Sequence, residues 1–342
     1  MKIVVRCPNW IGDAVMSIPA LRFLRGAYPE AQIVLHTRSW AEGVFRDSAL
    51  IDGMVLIGEG RSRIGNVREQ VRELRKHDFD ISILFTNSFE SALVSRLAGI
   101  PERVGYSTET RGFLLSRPVR VPSWKKERHE SEYYLNLVDG LVEGNPNLST
   151  SEIGLEVSMK RRAEAREHLL EFGASPNELM ITIGAGSTNS MAKRWPAENF
   201  ATLCDLFAAK LSANIVFLGS PGEAVVTAEI ASRMTYHPID LTGKTDLDLA
   251  TAILSESDLF VSNDMGLAHI AAAVGTPTLV IFGPTNEIAT KPLGRNVRIA
   301  REPVECAPCM LRECPIDHRC MTRISPARVF ESAAEMLETL SK

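Results

Sequence analysis

The stretch Ser262–Thr285, SNDMGLAHIAAAVGTPTLVIFGPT, places an acid, a glycine and a histidine at D-x-G-x-x-H spacing: Asp264, Gly266 and His269. A small apolar run follows, so a helix is expected to open near Leu267. The first turn of a helix has free N–H groups and carries the positive end of the dipole. Those groups beside Asp264 and His269 suit an anion, a phosphate above all. Ala268, Ala271, Ala272 and Ala273 would let this helix pack close to a sheet. A plainer account stays open, with Asp264 as a cap and His269 as a core histidine.

Three other stretches join a strand to a helix through a glycine turn. GAGSTNSMAKRWPAENF (184–200) offers Gly184, Gly186, Ser187 and Thr188 as backbone and hydroxyl donors to a phosphate. Lys193 and Arg194 add positive charge just before a helix opened by Pro196; surface cations on a glycine turn are the alternative. FLGSPGEAVVTAEI (217–230) puts Glu223 in a first turn, as a ribose-binding acid or as a helix-dipole partner. NWIGDAVMSIPALRFL (9–24) follows the first strand. There Gly12 allows close ligand approach, and Pro19 suits the first turn of a helix running through Leu24. Asp13 is expected in the strand-to-helix loop, as a ligand-facing carboxylate or as a cap.

The cysteines divide sharply. Cys7 and Cys204 stand alone and read as inert core residues. Cys306, Cys309, Cys314 and Cys320 crowd one stretch, CAPCMLRECPIDHRC, at C-x2-C-x4-C-x5-C spacing. Four thiols so close suggest a structural zinc ion, with His318 as a possible substitute ligand. Reduced loop thiols and local disulfides are the alternatives. Two decoys fall away. Asp246-Leu247-Asp248 resembles a metal-binding D-x-D, but Asp248 stands three residues after Thr245, where a capping box wants an acid. No G-x-x-x-x-G-K-[ST] occurs, and the first βα turn lacks G-x-G-x-x-G, which argues against a P-loop NTPase and a nicotinamide enzyme.

The elements that must position these residues alternate along the chain. Continuously apolar runs at 2–6, 32–36, 80–85, 180–184, 214–219, 258–262 and 278–282 read as strands covered on both faces. Amphipathic stretches such as 65–77 and 196–211 read as helices between them. This alternation predicts an α/β protein of two Rossmann-like domains with parallel sheets facing across a cleft. The pattern breaks at 142–158, rich in Gly, Pro, Asn and Ser. The expected domains are 1–158 and 159–324, with a terminal helix over 325–342 that packs back across the junction.

The bulk properties fit that plan. The chain has 342 residues, enough for two cores, with 45% hydrophobic and 23% charged residues and a net charge of −4. Such a charge gives no general attraction to nucleic acid or to an anionic membrane. The first residues do not form a secretory signal, and the run Ile270–Phe282 contains Gly and Pro and is short of a membrane span. A cytoplasmic protein is expected.

Four segments in order, GDAVMSIPALRFL, NSFESALVSRLAGIPERVGY, GAGSTNSMAKRWP and NDMGLAHIAAAVGTPTLVIFGPT, resemble the ADP-heptose:lipopolysaccharide heptosyltransferases of glycosyltransferase family nine, the type II branch in particular. The resemblance implies the GT-B fold and inverting transfer of L-glycero-D-manno-heptose from ADP-heptose to the first heptose of the lipopolysaccharide inner core. It implies Asp13 as general base and Lys193 on the donor phosphates. Ser187, Thr188, Glu223, Asp264, Met265, Gly266, Leu267 and His269 then line the donor, and Asn9, Trp10, Gly12, Asn87 and Arg111 the acceptor side. No catalytic metal or cofactor is implied, and peripheral contact with the inner face of the cytoplasmic membrane is. Other members have Ser or Thr after the motif's Asp; here Met265 replaces that hydroxyl. A transferase using another nucleotide sugar, and a redox-regulated nucleotide-binding module, are the remaining alternatives.

Overall fold

The computed structural model describes residues 1–58, 62–141, 153–188 and 190–340. Most of the glycine- and proline-rich stretch expected as the junction, 142–152, lies outside them, as does the end of the expected terminal segment. The chain forms two compact units, Met1–Ile153 and Gly154–Lys342.

The first unit holds six parallel strands in the order β3-β2-β1-β4-β5-β6. They are β1 (Lys2–Arg6), β2 (Gln32–Thr37), β3 (Gly53–Leu56), β4 (Ile81–Leu84), β5 (Glu102–Tyr106) and β6 (Arg117–Val119). The second unit repeats the plan with β7 (Met180–Gly184), β8 (Asn214–Phe217), β9 (Ile239–Asp240), β10 (Leu259–Asn263), β11 (Thr278–Phe282) and β12 (Val297–Arg301), ordered β12-β11-β10-β7-β8-β9. The central strands β4, β10 and β11 are buried at every position, which explains their largely apolar sequences. The runs Glu102–Tyr106, Arg117–Val119 and Val297–Arg301 carry charges and escaped the apolar pattern. β6 and β12 are edge strands, where one flank meets no neighbour and polar side chains are tolerated. β5 instead buries its cation: Arg103 satisfies its guanidinium on the carbonyls of Ile100, Pro101 and Leu114.

A helix spans 159–171, and those at 63–75, 197–211 and 326–340 stand within two residues of their expected bounds. The last of them joins the second unit's core: Val329, Ala333 and Met336 are buried there, and Phe330 meets Phe207 at 5.5 Å between ring centroids. Asp246, not Thr245, is the N-cap of the helix Leu247–Ser255, accepting from the Leu249 N–H at 2.8 Å. Asp248 pairs instead with the buried Arg161 at 2.7 Å. Capping therefore accounts for one acid of the D-x-D and an ion pair for the other.

Where β7 and β10 end side by side, the packing is close. A Cβ on Gly184 would lie 2.6 Å from Met265 Sδ, 2.8 Å from Phe260 Cζ and 2.9 Å from Ser262 Cβ. Fully buried Asn263 ties the same region together. Its Oδ1 accepts from the Trp195 N–H at 3.0 Å, and its Nδ2 donates to the Ala185 carbonyl at 2.6 Å. One side chain thus fixes both ends of the segment 185–195.

Two stability outcomes follow from this packing. Gly184→Ala is expected to cost about 1–3 kcal/mol, the range for forcing a methyl into a filled core. Asn263→Ala is expected to cost at least about 1–3 kcal/mol, because it strands a buried backbone N–H and a buried carbonyl. Urea denaturation checks both; wild-type midpoints in either variant would contradict the packing described.

Candidate active site

In the second unit one ion pair joins two of the residues expected at the donor, Lys193 and Asp264. Asp264 Oδ2 receives Lys193 Nζ at 2.7 Å and the Thr285 hydroxyl at 2.8 Å. The Asp264 side chain is 7% exposed and that of Lys193 is 26% exposed. A carboxylate so buried needs compensation, and a cation plus a hydroxyl supply it. The Lys193 side chain is partly exposed, and its ammonium has three protons, of which Asp264 takes one. Lys193 itself sits at the end of a 3-10 turn, Met191–Lys193, after the glycine loop.

The helix behind this pair is Gly266–Ala273. Every residue from Leu267 to Ala273 is buried, so the alanines do pack against the sheet. Met265 occupies the N-cap position in an extended conformation, and no side chain caps the helix. Asp264 is therefore not a cap. Its carboxylate is drawn off to Lys193 and Thr285, which leaves the helix's first N–H groups without a side-chain acceptor. Met265 fills the space over Gly184, a packing role that a serine hydroxyl would not perform. His269 is buried within the helix.

The glycine loop supplies the next wall. Ser187 is buried and Thr188 is exposed. Arg194 Nη2 donates to the Ser187 carbonyl at 3.1 Å and so holds the loop from behind. Glu223 is buried and forms a capping box with Ser220, accepting from its N–H at 2.7 Å and its hydroxyl at 2.9 Å through Oε2. The Glu223 carboxyl also lies directly against Gly186, where a Cβ would collide with it. The cap accounts for one carboxylate oxygen, and the other edge faces the glycine loop.

In the first unit, Asp13 is not in a loop. It lies in the first turn of a short helix, Ile11–Met16, whose N-cap is Trp10 without a side-chain bond. A second helix, Ile18–Ala27, takes Pro19 in its first turn. Asp13 is half-exposed and receives the Tyr134 hydroxyl at 3.3 Å. The neighbouring Tyr133 donates to Asn87 Oδ1 at 3.2 Å. One helix, Glu130–Asp139, thereby holds Asp13 and Asn87 through consecutive tyrosines. Burial pushes the Glu130 carboxyl above the ordinary range; Lys125 opposes this and the charge of Asp13 adds to it. Burial also drives the Tyr134 phenol well above its usual value, again with Asp13 contributing, so it stays a hydrogen-bond donor.

The remaining residues expected on the acceptor side differ in setting. Trp10 is 60% exposed, Gly12 is half-buried, and Asn9 accepts from Arg6 Nη2 at 2.8 Å. Arg111 is fully buried. It donates to the carbonyls of Tyr106, Thr86 and Ser88 and to the Ser91 hydroxyl, between 2.7 and 3.1 Å. Burial lowers its guanidinium to about 10. It pins the loop that carries Asn87, and its side chain presents nothing to solvent.

Sequence reasoning did not single out Thr285, Asn263, Tyr133, Tyr134 or Glu130. Thr285 closes the Gly-Pro-Thr of the first motif, which was its one local signal. The tyrosines belong to a helix with no motif of its own, and only the fold carries them to the ends of β1 and β4.

These geometries can be set beside known proteins. Residues 67–319 match the sequence description "Glycosyltransferase family 9 (heptosyltransferase)". The chain is 29% identical to lipopolysaccharide heptosyltransferase 2 of Escherichia coli K12 over 309 residues, 88% of each chain. It is 24% identical to lipooligosaccharide heptosyltransferase 2 of Campylobacter jejuni over 343 residues, 99% of each. The E. coli ADP-heptose LPS heptosyltransferase II structure superposes with a TM-score of 0.85 at 27% identity, covering 100% of both chains. A family 9 glycosyltransferase from Veillonella parvula superposes at 0.88 with 25% identity, covering 99% of this chain and 97% of that one. The GT-B class expected from the sequence is thereby established. With the family's description matched over most of its length, the chain belongs to glycosyltransferase family 9, the heptosyltransferases.

Proposed function

We propose that this chain moves L-glycero-D-manno-heptose from ADP-heptose to the first heptose of the lipopolysaccharide inner core. The names of its relatives, heptosyltransferase 2 and ADP-heptose LPS heptosyltransferase II, support the donor and the acceptor. The single observation that carries the donor assignment is the Lys193–Asp264–Thr285 group at the start of an uncapped, buried helix. It combines a held cation with oriented N–H groups, the chemistry that a departing diphosphate requires.

Asp13 takes the proton of the acceptor hydroxyl, with Tyr134 steadying the carboxylate. The hydroxyl oxygen attacks the anomeric carbon of the heptose as its bond to the diphosphate oxygen breaks. ADP leaves with the bonding electrons, and Lys193 and the helix N–H groups stabilise its charge. A single in-line displacement inverts the anomeric configuration. No divalent ion is needed in this scheme, because Lys193 occupies the role that Mg²⁺ or Mn²⁺ would take.

The acceptor is lipid-linked, so the proposal includes peripheral work at the inner face of the cytoplasmic membrane. No described helix is long and apolar enough to cross a membrane.

Asp13→Asn is expected to lower transfer by about 10²–10⁴-fold, the usual weight of a positioned base, while ADP affinity stays near wild type. Turnover with heptose-bearing truncated lipopolysaccharide, read by mass spectrometry, measures it; near-normal turnover removes Asp13 from the chemistry. Lys193→Ala is expected to weaken ADP-heptose binding and slow the transfer step together, by about tenfold or more in each, since a charge-assisted contact is lost. If both kinetic constants stay at wild-type values, Lys193 serves only Asp264. Turnover in buffer freed of Mg²⁺ and Mn²⁺ is expected to equal turnover with either added. A strict requirement for one of them refutes the lysine's proposed role.

A further inference from the structure

The four clustered cysteines take no part in the proposed chemistry, yet the fold brings them to one place. Cys306, Cys309, Cys314 and Cys320 line a single cavity of about 70 Å³, together with Ala192 and Pro284. All four are free thiols. Cys320 is buried at the start of the short helix Arg319–Thr322, Cys314 is half-buried, and Cys306 and Cys309 are exposed. No carboxylate lines the cavity. His318 Nε2 lies 2.6 Å from the Ala192 carbonyl, so its ring is engaged in holding the chain. Thiols are then the ligands on offer.

We propose that Cys306, Cys309, Cys314 and Cys320 bind one Zn²⁺ ion as a tetrathiolate, and that this ion braces the wall behind Lys193 and Thr285. Four sulfurs select a soft metal and disfavour Mg²⁺ or Ca²⁺. The C-x2-C pair is the short gap of structural zinc sites, which are closed and four-coordinate. Among the described residues no three such side chains already stand at metal-ligand spacing. The segment between β12 and the helix Arg319–Thr322 has no strand or helix of its own, so the sulfurs can be drawn together without breaking one.

The second half of the proposal comes from what this segment holds. The Ala192 N–H donates to the Arg312 carbonyl at 2.9 Å, and the Ser190 hydroxyl donates to the same carbonyl at 3.2 Å. The Met310 N–H donates to the Pro284 carbonyl at 2.8 Å. Ala192 precedes Lys193, and Pro284 precedes Thr285. A Cβ on Gly283 would lie 2.3 Å from Met321 Sδ and 3.2 Å from Cys320 Sγ. Cysteine segment, lysine turn and threonine turn therefore form one hydrogen-bonded wall, and a metal would fix its outer side.

This bracing role rests on the donor reading above; the metal does not. Elemental analysis and native mass spectrometry of the full chain, purified without added metal, test the ion. About one zinc per chain is expected, with the four thiols shielded from alkylation until a chelator removes it. Less than about a tenth of an equivalent of metal, with all four thiols reacting at once, overturns the proposal. Two disulfides, or iron in place of zinc, overturn it equally. Cys306→Ser/Cys309→Ser is expected to lose the ion; the chelated wild-type chain serves the same comparison if that variant does not fold. Calorimetry with ADP then tests the bracing, where zinc removal is expected to weaken binding by about tenfold, the scale of one charge-assisted contact. Unchanged ADP affinity in the zinc-free chain overturns the bracing. Failure of the zinc-loaded chain to bind ADP overturns the donor reading and leaves the metal result standing.

Discussion

A parallel sheet sends the carboxyl end of every strand to one edge, and both units of this protein obey that constraint throughout. Every described pairing, from β1 with β2 to β11 with β12, is parallel. The loops that leave β1, β4, β7, β8, β10 and β11 therefore emerge on the ligand-binding edge of their own sheet. Asp13, Asn87, the glycine loop, Glu223, Asp264 and Thr285 are the residues on those loops or just beyond them.

Within the second unit, the electrostatics turn on a carboxylate that does not cap its helix. An Asp beside a helix start would ordinarily accept the first N–H groups. Here Lys193 and Thr285 hold Asp264 aside. The helix end keeps its donors, and the lysine is fixed close to them. The pair contributes less by its own stability than by what it orients, since a largely buried ion pair carries a desolvation cost comparable with its attraction. Asn263, one residue earlier, performs the matching task for the backbone by joining Ala185 to Trp195.

The first unit uses neutral groups for the same purpose. Tyr133 and Tyr134 reach Asn87 and Asp13 from one helix turn, and Arg111 donates to the carbonyls of Thr86 and Ser88 on either side of Asn87. Tyr106 stacks on Tyr133 at 4.0 Å between centroids and donates to the Tyr133 carbonyl, so the tyrosine pair is itself clamped. A half-exposed carboxylate that accepts from a phenol whose ionisation is pushed up by burial fits the proton abstraction proposed for Asp13.

Much of this was legible in the residues alone. Continuous apolar runs marked the buried central strands, because a strand covered on both faces has no polar face to show. Glycine turns at the ends of those runs marked places of close packing, because only glycine lets backbone and neighbour approach as Gly184 and Gly186 do. The charged runs of β5, β6 and β12 were not legible as strands, since polarity says nothing of the sheet that receives them. Nor was the helix around Asp13, where six residues give too short a period to read. Local sequence determined which residues were chemically able to act. The tertiary fold decided their partners: Lys193 with Asp264 across 71 positions, and Asp13 with Tyr134 across 121. Such pairings depend on which strands end together, and separation along the chain carries no information about that.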